Sequence, residues 1–381
     1  MKVDQCVWGR ENGWIVTPNM GRCAEAQLVL IFGSRATLSD AARVEEVRRA
    51  CPKAVAVIGC STAGEIYDTR VLDDSLVVTA VRFDHTQLRA VEAELTGPAD
   101  SKAAGERLAK ALAAPDLAHV FVLSDGLKVN GSELVKGLTG SLPQNVAVTG
   151  GLSGDGAKFE QTLVYFNGTA KPGRIVAIGF YGDKLRVGYG SMGGWDTFGP
   201  ERVVTRSSGN VLYELDGESA LALYKKYLGS YAAELPASGL RFPLSVRDKN
   251  SDAPVVRTIL AVNEQDQSLT FAGDVPEGSI ARLMRANFDR LVDGANGAAS
   301  TSQQAIGKDV AELAILISCV GRKLILQQRT EEEVESVRAV LGERAKMTGF
   351  YSYGEISPFT PTAKCELHNQ TMTITIFSEA A

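Results

Sequence analysis

Histidine is the scarcest functional side chain. The chain of 381 residues holds only 3, His85, His119 and His368, so any catalytic triad, zinc site or haem ligand must draw on those positions. The six cysteines, Cys6, Cys23, Cys51, Cys60, Cys319 and Cys365, form no C-x-x-C pair and no histidine-linked zinc spacing. No P-loop, H-E-x-x-H or EF-hand pattern occurs. The N-terminus MKVDQCVWGRENGWIVT lacks the apolar stretch of a signal peptide. No run approaches the about 18 consecutive apolar residues of a membrane helix. Basic blocks are missing too, and 40 Lys and Arg against 45 Asp and Glu leave a net charge of −5, which argues against nucleic-acid binding. These absences predict a cytoplasmic protein without membrane insertion, whose thiols are mostly small buried apolar groups.

What is present is material for a core. Hydrophobic residues make up 45% of the chain, and its length is that of two or three domains at about 100–200 residues each.

The sequence also repeats itself. LVLIF from Leu28 reads as a buried strand, followed by a helix that Ser39 is expected to cap and Pro52 to end. A second strand, AVAVIG, runs into GCSTAGEI. LAILIS from Leu313 begins the same pattern. Cys319 to Arg322 follow as a loop, then a helix from Thr330 with a Thr330–Glu333 capping box, and the unit closes on TGFYSYGEI. Both copies end in G-x-x-x-x-G-E-I, with Gly59, Gly64 and Glu65 in one and Gly349, Gly354 and Glu355 in the other. A looser copy lies between: VFVLSDG, the helix GSELVKGLTGSL, VAVTG, then GLSGDG with Gly154–Asp155 at the turn. Duplication of one strand–helix–strand unit explains all three.

A glycine reached directly from a buried strand permits positive φ or close backbone approach. The neighbouring acid then sits at the strand's C-terminal end, where α/β sheets bind ligands. Glu65, Asp155 and Glu355 either accept backbone N–H bonds in these turns or contact a ligand.

Between the units the chain is rich in strand signals. Leu76 to Phe83 reads as a strand, and Thr162–Phe166 with Arg174–Tyr181 as a hairpin. Gly190–Pro200 reads as a loop and Glu218–Leu228 as a helix stopped by Gly229. VVRTILAV and SLTFAG form a second hairpin, Ser279 to Ile306 a long helix, and CELHNQTMTITIF one strand. On that strand, alternation puts His368 on a face with Met372, Ile374 and Ile376, where a neutral imidazole is either a satisfied core residue or a ligand for haem iron. His119 is expected at a strand edge and His85 in an exposed turn.

Catalytic motifs do not survive scrutiny. Gly188 to Gly193 matches G-x-G-x-x-G but GGWDTFGP follows it instead of a helix. Gly151-Leu152-Ser153-Gly154-Asp155 lacks the last glycine of a nucleophile elbow. Cys60, beside Gly59 at a strand end, is the best nucleophile candidate, so a Cys60- or carboxylate-dependent enzyme is the rival reading.

The stretches VAVIGCSTAGEI, VAVTGGLSGDGAKFEQTLVYFNG, GGWDTFGPERVVT, GNVLYELDGESALALYKKYLG, LTFAGDVPEGS, ISCVGR, GFYSYGEISPF and CELHNQTMTIT together resemble the FIST family of sensory proteins. The likeness runs from about Leu28 to the C-terminus. It implies an α/β fold of two packed domains with mixed sheets and flanking helices, built from the repeated units. The expected division is an N-terminal segment 1–27, a FIST N-type domain 28–217 and a FIST C-type domain 218–381. It also implies a bacterial sensor of a small ligand, an amino acid or nitric oxide, relayed in trans to a histidine kinase or a cyclic-di-GMP enzyme. For a haem-containing branch the cofactor is haem b and His368 the first candidate axial ligand. For an amino acid, Gly64, Glu65, Asp155, Arg322, Tyr353, Gly354 and Glu355 are the expected contacts, with a carboxylate on the ammonium and Arg322 on the carboxylate.

Overall fold

Three stretches of near-continuous apolar sequence become the first strands of three equivalent units. Leu28–Gly33, Leu117–Ser124 and Leu313–Cys319 are buried almost throughout. Strands that are covered on both faces carry such runs rather than alternation. In the computed structural model, which describes residues 1–16, 23–249, 254–359 and 363–380, each first strand pairs in parallel with a second, Ala56–Ser61, Ala147–Leu152 and Lys346–Ser352. The crossover helices Ala41–Ala50, Gly131–Ser141 and Thr330–Leu341 join them.

A third strand, Ser75–Arg82, Arg174–Tyr181 or Met372–Glu379, lies antiparallel on the other side of the first. An outer strand, Lys2–Gly9, Gln87–Glu94 or Leu185–Met192, closes that edge.

The units are interlocked. After its second strand each one sends a short hairpin into the sheet of another. Glu65–Tyr67 pairs with Lys346–Ser352, Val164–Phe166 with Ala56–Ser61, and Gly354–Pro358 with Ala147–Leu152. The exchange is cyclic, so the three mixed sheets form one body with pseudo-threefold symmetry. Its centre is a shared apolar core to which every unit contributes, including Phe32, Ile58, Phe121, Ile178, Ile317, Phe350 and Phe377.

The glycine that precedes each turn has a common cause. A Cβ on Gly59, Gly150 or Gly349 would lie 2.0, 1.9 or 1.8 Å from the carbonyl oxygen of Ile31, Val122 or Leu316 respectively. Side chains cannot be accommodated at that separation, so the close strand approach demands glycine.

Between the outer strand of the third unit and its helix Phe288–Ile306 lies an inserted, mainly antiparallel sheet. It runs from Asp196–Ser208 to Ile280–Arg285 and packs the helix Ala220–Leu228 into a separate core with Leu212, Leu221, Tyr224, Phe271 and Leu283. The molecule is thus α/β with several mixed sheets and two packed domains. Among the described residues, no helix is long and apolar enough to cross a membrane.

Several local expectations need correction. Asp40, not Ser39, caps Ala41–Ala50, because its carboxylate accepts from the amides of Ala42 and Arg43. The Thr330–Glu333 capping box does not form: Thr330 is already helical and its hydroxyl donates to the Gln327 carbonyl, while Glu333 pairs with Arg322. Cys319–Arg322 is no loop but the N-cap and first turn of a helix, Val320–Leu326. Val164–Phe166 turns at Asn167–Gly168 onto Thr169–Lys171, and Arg174–Tyr181 belongs to another sheet. Gly190–Pro200 is largely strand, and Ile280–Arg285 is a strand before the helix.

Candidate functional site

The two Gly-Glu turns form matching closed networks. Glu65 accepts from the Thr62 hydroxyl and from Ser75, its amide at 3.2 Å and its hydroxyl at 2.7 Å. Glu355 accepts from the Ser352 hydroxyl at 2.5 Å and from Thr371, amide 3.2 Å and hydroxyl 3.0 Å. Both side chains are fully enclosed. Burial pushes Glu65 up to about 7 and Glu355 up to about 8, against the opposing pull of these donors.

Asp155 behaves differently. It accepts from the amides of Phe159, Glu160 and Gln161 at 2.9–3.0 Å and from the Tyr353 hydroxyl. Burial opposes its charge, but these donors prevail and hold it below the ordinary aspartate value. By sheet register the second unit's turn is the longer one: 15 residues separate Gly150 from Tyr165, the residue that pairs with Gly59, against 7 from Gly59 to Ile66 and 7 from Gly349 to Ile356. Its chain therefore runs on through Phe159 before entering the neighbouring sheet.

Arg322 is not available to a carboxylate ligand. Its guanidinium forms a buried fork on Glu333, at 3.0 and 2.7 Å, and donates to the carbonyls of Gly193 and Leu291. The expected Arg322–carboxylate clamp is therefore corrected to an internal ion pair. Gly64 has φ +138 and faces Lys323, and Gly354 abuts Leu152 and Leu367. Cys60 is wholly buried in its strand and burial raises its thiol well above the ordinary range, which leaves a nucleophile there neither access nor thiolate.

His368 is corrected as well. Residues Asn369–Thr371 break the predicted single strand, with Gln370 at φ +63. His368 ends Cys365–His368 in one sheet, whereas Met372, Ile374 and Ile376 lie in another. Its Nε2 is 2.7 Å from the Ser357 carbonyl and the Phe359 ring is 4.1 Å away. Burial lowers it to about 4. Among the described residues Nδ1 has no partner, yet His368 lines neither the seam pocket nor the larger groove described below. Among the described residues, those around it leave no slot for a porphyrin and do not fit haem. Among the described residues, no cluster of three or more His, Cys, Asp or Glu side chains could hold a metal ion. His119 sits in a central strand against Thr149 at 2.9 Å, and His85 is exposed.

One expected residue does reach a cavity. Tyr353 lines a pocket of about 270 Å³ at the seam between the three-unit body and the inserted domain. The body supplies the strand-end residues Gly126, Leu127, Val129, Asn130 and Gly131 and the pair Cys319 and Val320, with Tyr353 and Asn369. The insert supplies Leu240, Thr258, Leu260 and Phe271–Gly273. Phe159 also lines it, stacked on Tyr353 at 4.4 Å and 14°, and Phe159 holds φ +55. A bulky side chain at positive φ is a strained conformation of the kind that clusters at functional sites.

Two polar side chains on the wall have no partner among the described residues. Asn369 is 1% exposed with both its Oδ1 and its Nδ2 unpaired, and Thr258 is 4% exposed with its Oγ1 unpaired. Each unmet buried group costs about 1–3 kcal/mol. Sequence reading passed over Asn369 although it adjoins His368 in the stretch LHNQTM. Thr258 and Phe271 carried no signal at all.

A larger groove of about 810 Å³ on the same seam carries the charged residues Lys136, Asp248, Arg257, Asp274, Lys364 and Glu366. Its buried cation is already occupied, since Arg257 donates to the carbonyls of Asp274 at 2.9 Å and Leu367 at 3.0 Å.

Among known proteins, the FIST N domain matches residues 27–218 and the FIST C domain residues 220–358. No curated protein matches the chain significantly. Among solved structures, a cyanuic acid hydrolase from A. caulinodans aligns at 11% identity over 78% of this chain and 100% of its own, with a TM-score of 0.19. A likeness that slight carries no argument.

Proposed function

Because the chain belongs to the FIST family, whose domains are signal-transduction sensory domains that bind small ligands, we propose that it senses a small molecule in the seam pocket between its two domains. The observation that carries this reading is the unpaired Asn369 carboxamide on a pocket wall shared by both domains. Among the described residues, few side-chain bonds cross the seam nearby: Asn130 to Asp274 at 3.2 Å, Lys136 to Asp274 at 3.4 Å, Gln370 to the Leu240 carbonyl at 3.2 Å, and Arg257 to the Leu367 carbonyl. A ligand held by Asn369 on one side and Thr258 on the other adds to that short set. It therefore favours the arrangement in which the domains are clasped, and differential affinity of this kind is what a signal requires.

The output passes in this reading to a separate cytoplasmic protein, a histidine kinase or a cyclic-di-GMP enzyme. This reading assigns no haem to His368, because the residues around it do not fit the cofactor.

Ala272→Phe tests the proposal by filling the pocket from the insert side. A small-molecule extract that raises the melting temperature of the native protein should leave this variant unmoved while the variant stays folded by circular dichroism. Equal stabilisation of both proteins would refute the seam pocket as the sensory site.

A further inference from the structure

Asn369 offers its hydrogen bonds in a particular form. A carboxamide presents one acceptor and one donor side by side in a plane, and here both are unpaired and buried on the pocket wall. The complement of that edge is another amide edge, donor facing acceptor and acceptor facing donor. Thr258 adds a hydroxyl that can donate or accept from the insert side. Among the described residues, no Asp, Glu, Lys, Arg or His lines the cavity, so an ionised ligand would lose its hydration without gaining a counter-charge. Asn130 and Asn210 also line it, but their carboxamides already donate to Asp274 and to the Phe271 carbonyl; the rest of the surface is mainly apolar and aromatic, with Tyr353 braced by Phe159 on one side and Phe271 on the other domain. At about 30 Å³ for each water-sized group, a volume near 270 Å³ admits a ligand of about nine non-hydrogen atoms.

Resting on the seam-pocket reading above, we propose that the ligand is a small uncharged molecule with a primary carboxamide or lactam edge on a flat apolar body. The edge pairs with Asn369, and the body lies against Tyr353 and Phe271. A free amino acid is disfavoured, because its ammonium and carboxylate would both be buried among neutral walls.

Three probes with the same ring separate the alternatives: benzamide, benzoate and benzylamine, titrated into the full chain by calorimetry and by protein-observed NMR. Glycine and leucine serve as amino-acid controls. Benzamide alone is expected to bind, with shifts at Tyr353 and Asn369. Asn369→Leu, checked for folding by its NMR spectrum, should weaken it about tenfold or more, the loss of a bidentate contact. Tighter binding of benzoate, benzylamine or an amino acid in this pocket would overturn the amide assignment and leave the seam pocket standing as a sensory site. Failure of every probe to bind, or benzamide binding unaffected by Asn369→Leu, would overturn the assignment as well. Benzamide bound as expected, with Ala272→Phe abolishing its binding but not the response to the stabilising extract, would instead remove the sensory reading and preserve the amide site.

Discussion

Glu65 and Glu355 occupy one kind of turn and Asp155 another, although all three close copies of the same unit. The two glutamates are sealed in hydroxyl cages and raised to about 7 and about 8. The aspartate is held low by amides and by Tyr353. The longer second-unit turn, which leaves its strand at Leu152 and enters the next at Val164, is what makes the difference. It gathers residues 156–161 around one carboxylate, and that loop places Phe159 against Tyr353 at the pocket. Duplication built a symmetric frame, and one altered turn made part of it a binding wall.

The feature common to all three turns gives the largest predicted effect. Gly349→Ala forces a Cβ to 1.8 Å from the Leu316 carbonyl oxygen and should destabilise by about 3 kcal/mol or more, read from urea unfolding. Gly150→Ala should do the same, showing that the frame is shared even where the turns differ.

The pH dependence separates the two kinds of turn. Glu65 and Glu355 keep their protons to higher pH when folded than when unfolded. The folded state therefore binds more protons between the ordinary glutamate value and about 7 to 8. Their contribution is full below the ordinary value, falls as pH rises through that window, and levels off above it. Asp155 acts oppositely: its contribution is present above the ordinary aspartate value and is lost as pH falls through the lowered one. Urea midpoints measured from about pH 5 to about pH 8 should fall with rising pH, and the double variant Glu65→Gln, Glu355→Gln should flatten that slope.

Amide substitutions sharpen the contrast at neutral pH. Asp155→Asn replaces an ionised acceptor of several bonds and should cost about 1–3 kcal/mol. Glu355→Gln leaves a neutral group of the same shape and should cost less than about 1 kcal/mol. Equal costs would mean that the carboxylates share one charge state.

The smallest effect is at Phe159. Phe159→Gly relieves the positive φ but gives up the stack on Tyr353, two terms of about 1 kcal/mol each with opposite sign. Melting temperature should hardly move, while benzamide binding weakens.

The repeats were readable because a close-approach glycine leaves a mark that no other residue can replace, at Gly59 and Gly349 above all. The strands were readable because burial on both faces demands apolar runs such as LAILIS. His368 shows where legibility stops. Alternation placed it correctly within a strand and wrongly beside Met372, because one residue at positive φ, Gln370, moved the chain to another sheet. Arg322 and Glu333 were each noticed, one for a ligand and one for a cap. Nothing local says that they neutralise each other across 11 residues of sequence.

By itself, then, the sequence determined the repeated unit, its strands and helices, the glycines and the acids at its turns, because those depend on the local backbone and on burial. Tertiary structure alone decided which sheet each hairpin joins, which acids are sealed, which arginine is spent, and that Asn369 and Thr258 face one pocket. Those outcomes depend on partners far apart in the chain, and a side chain's hydrogen-bonding state is settled only when its last neighbour is in place.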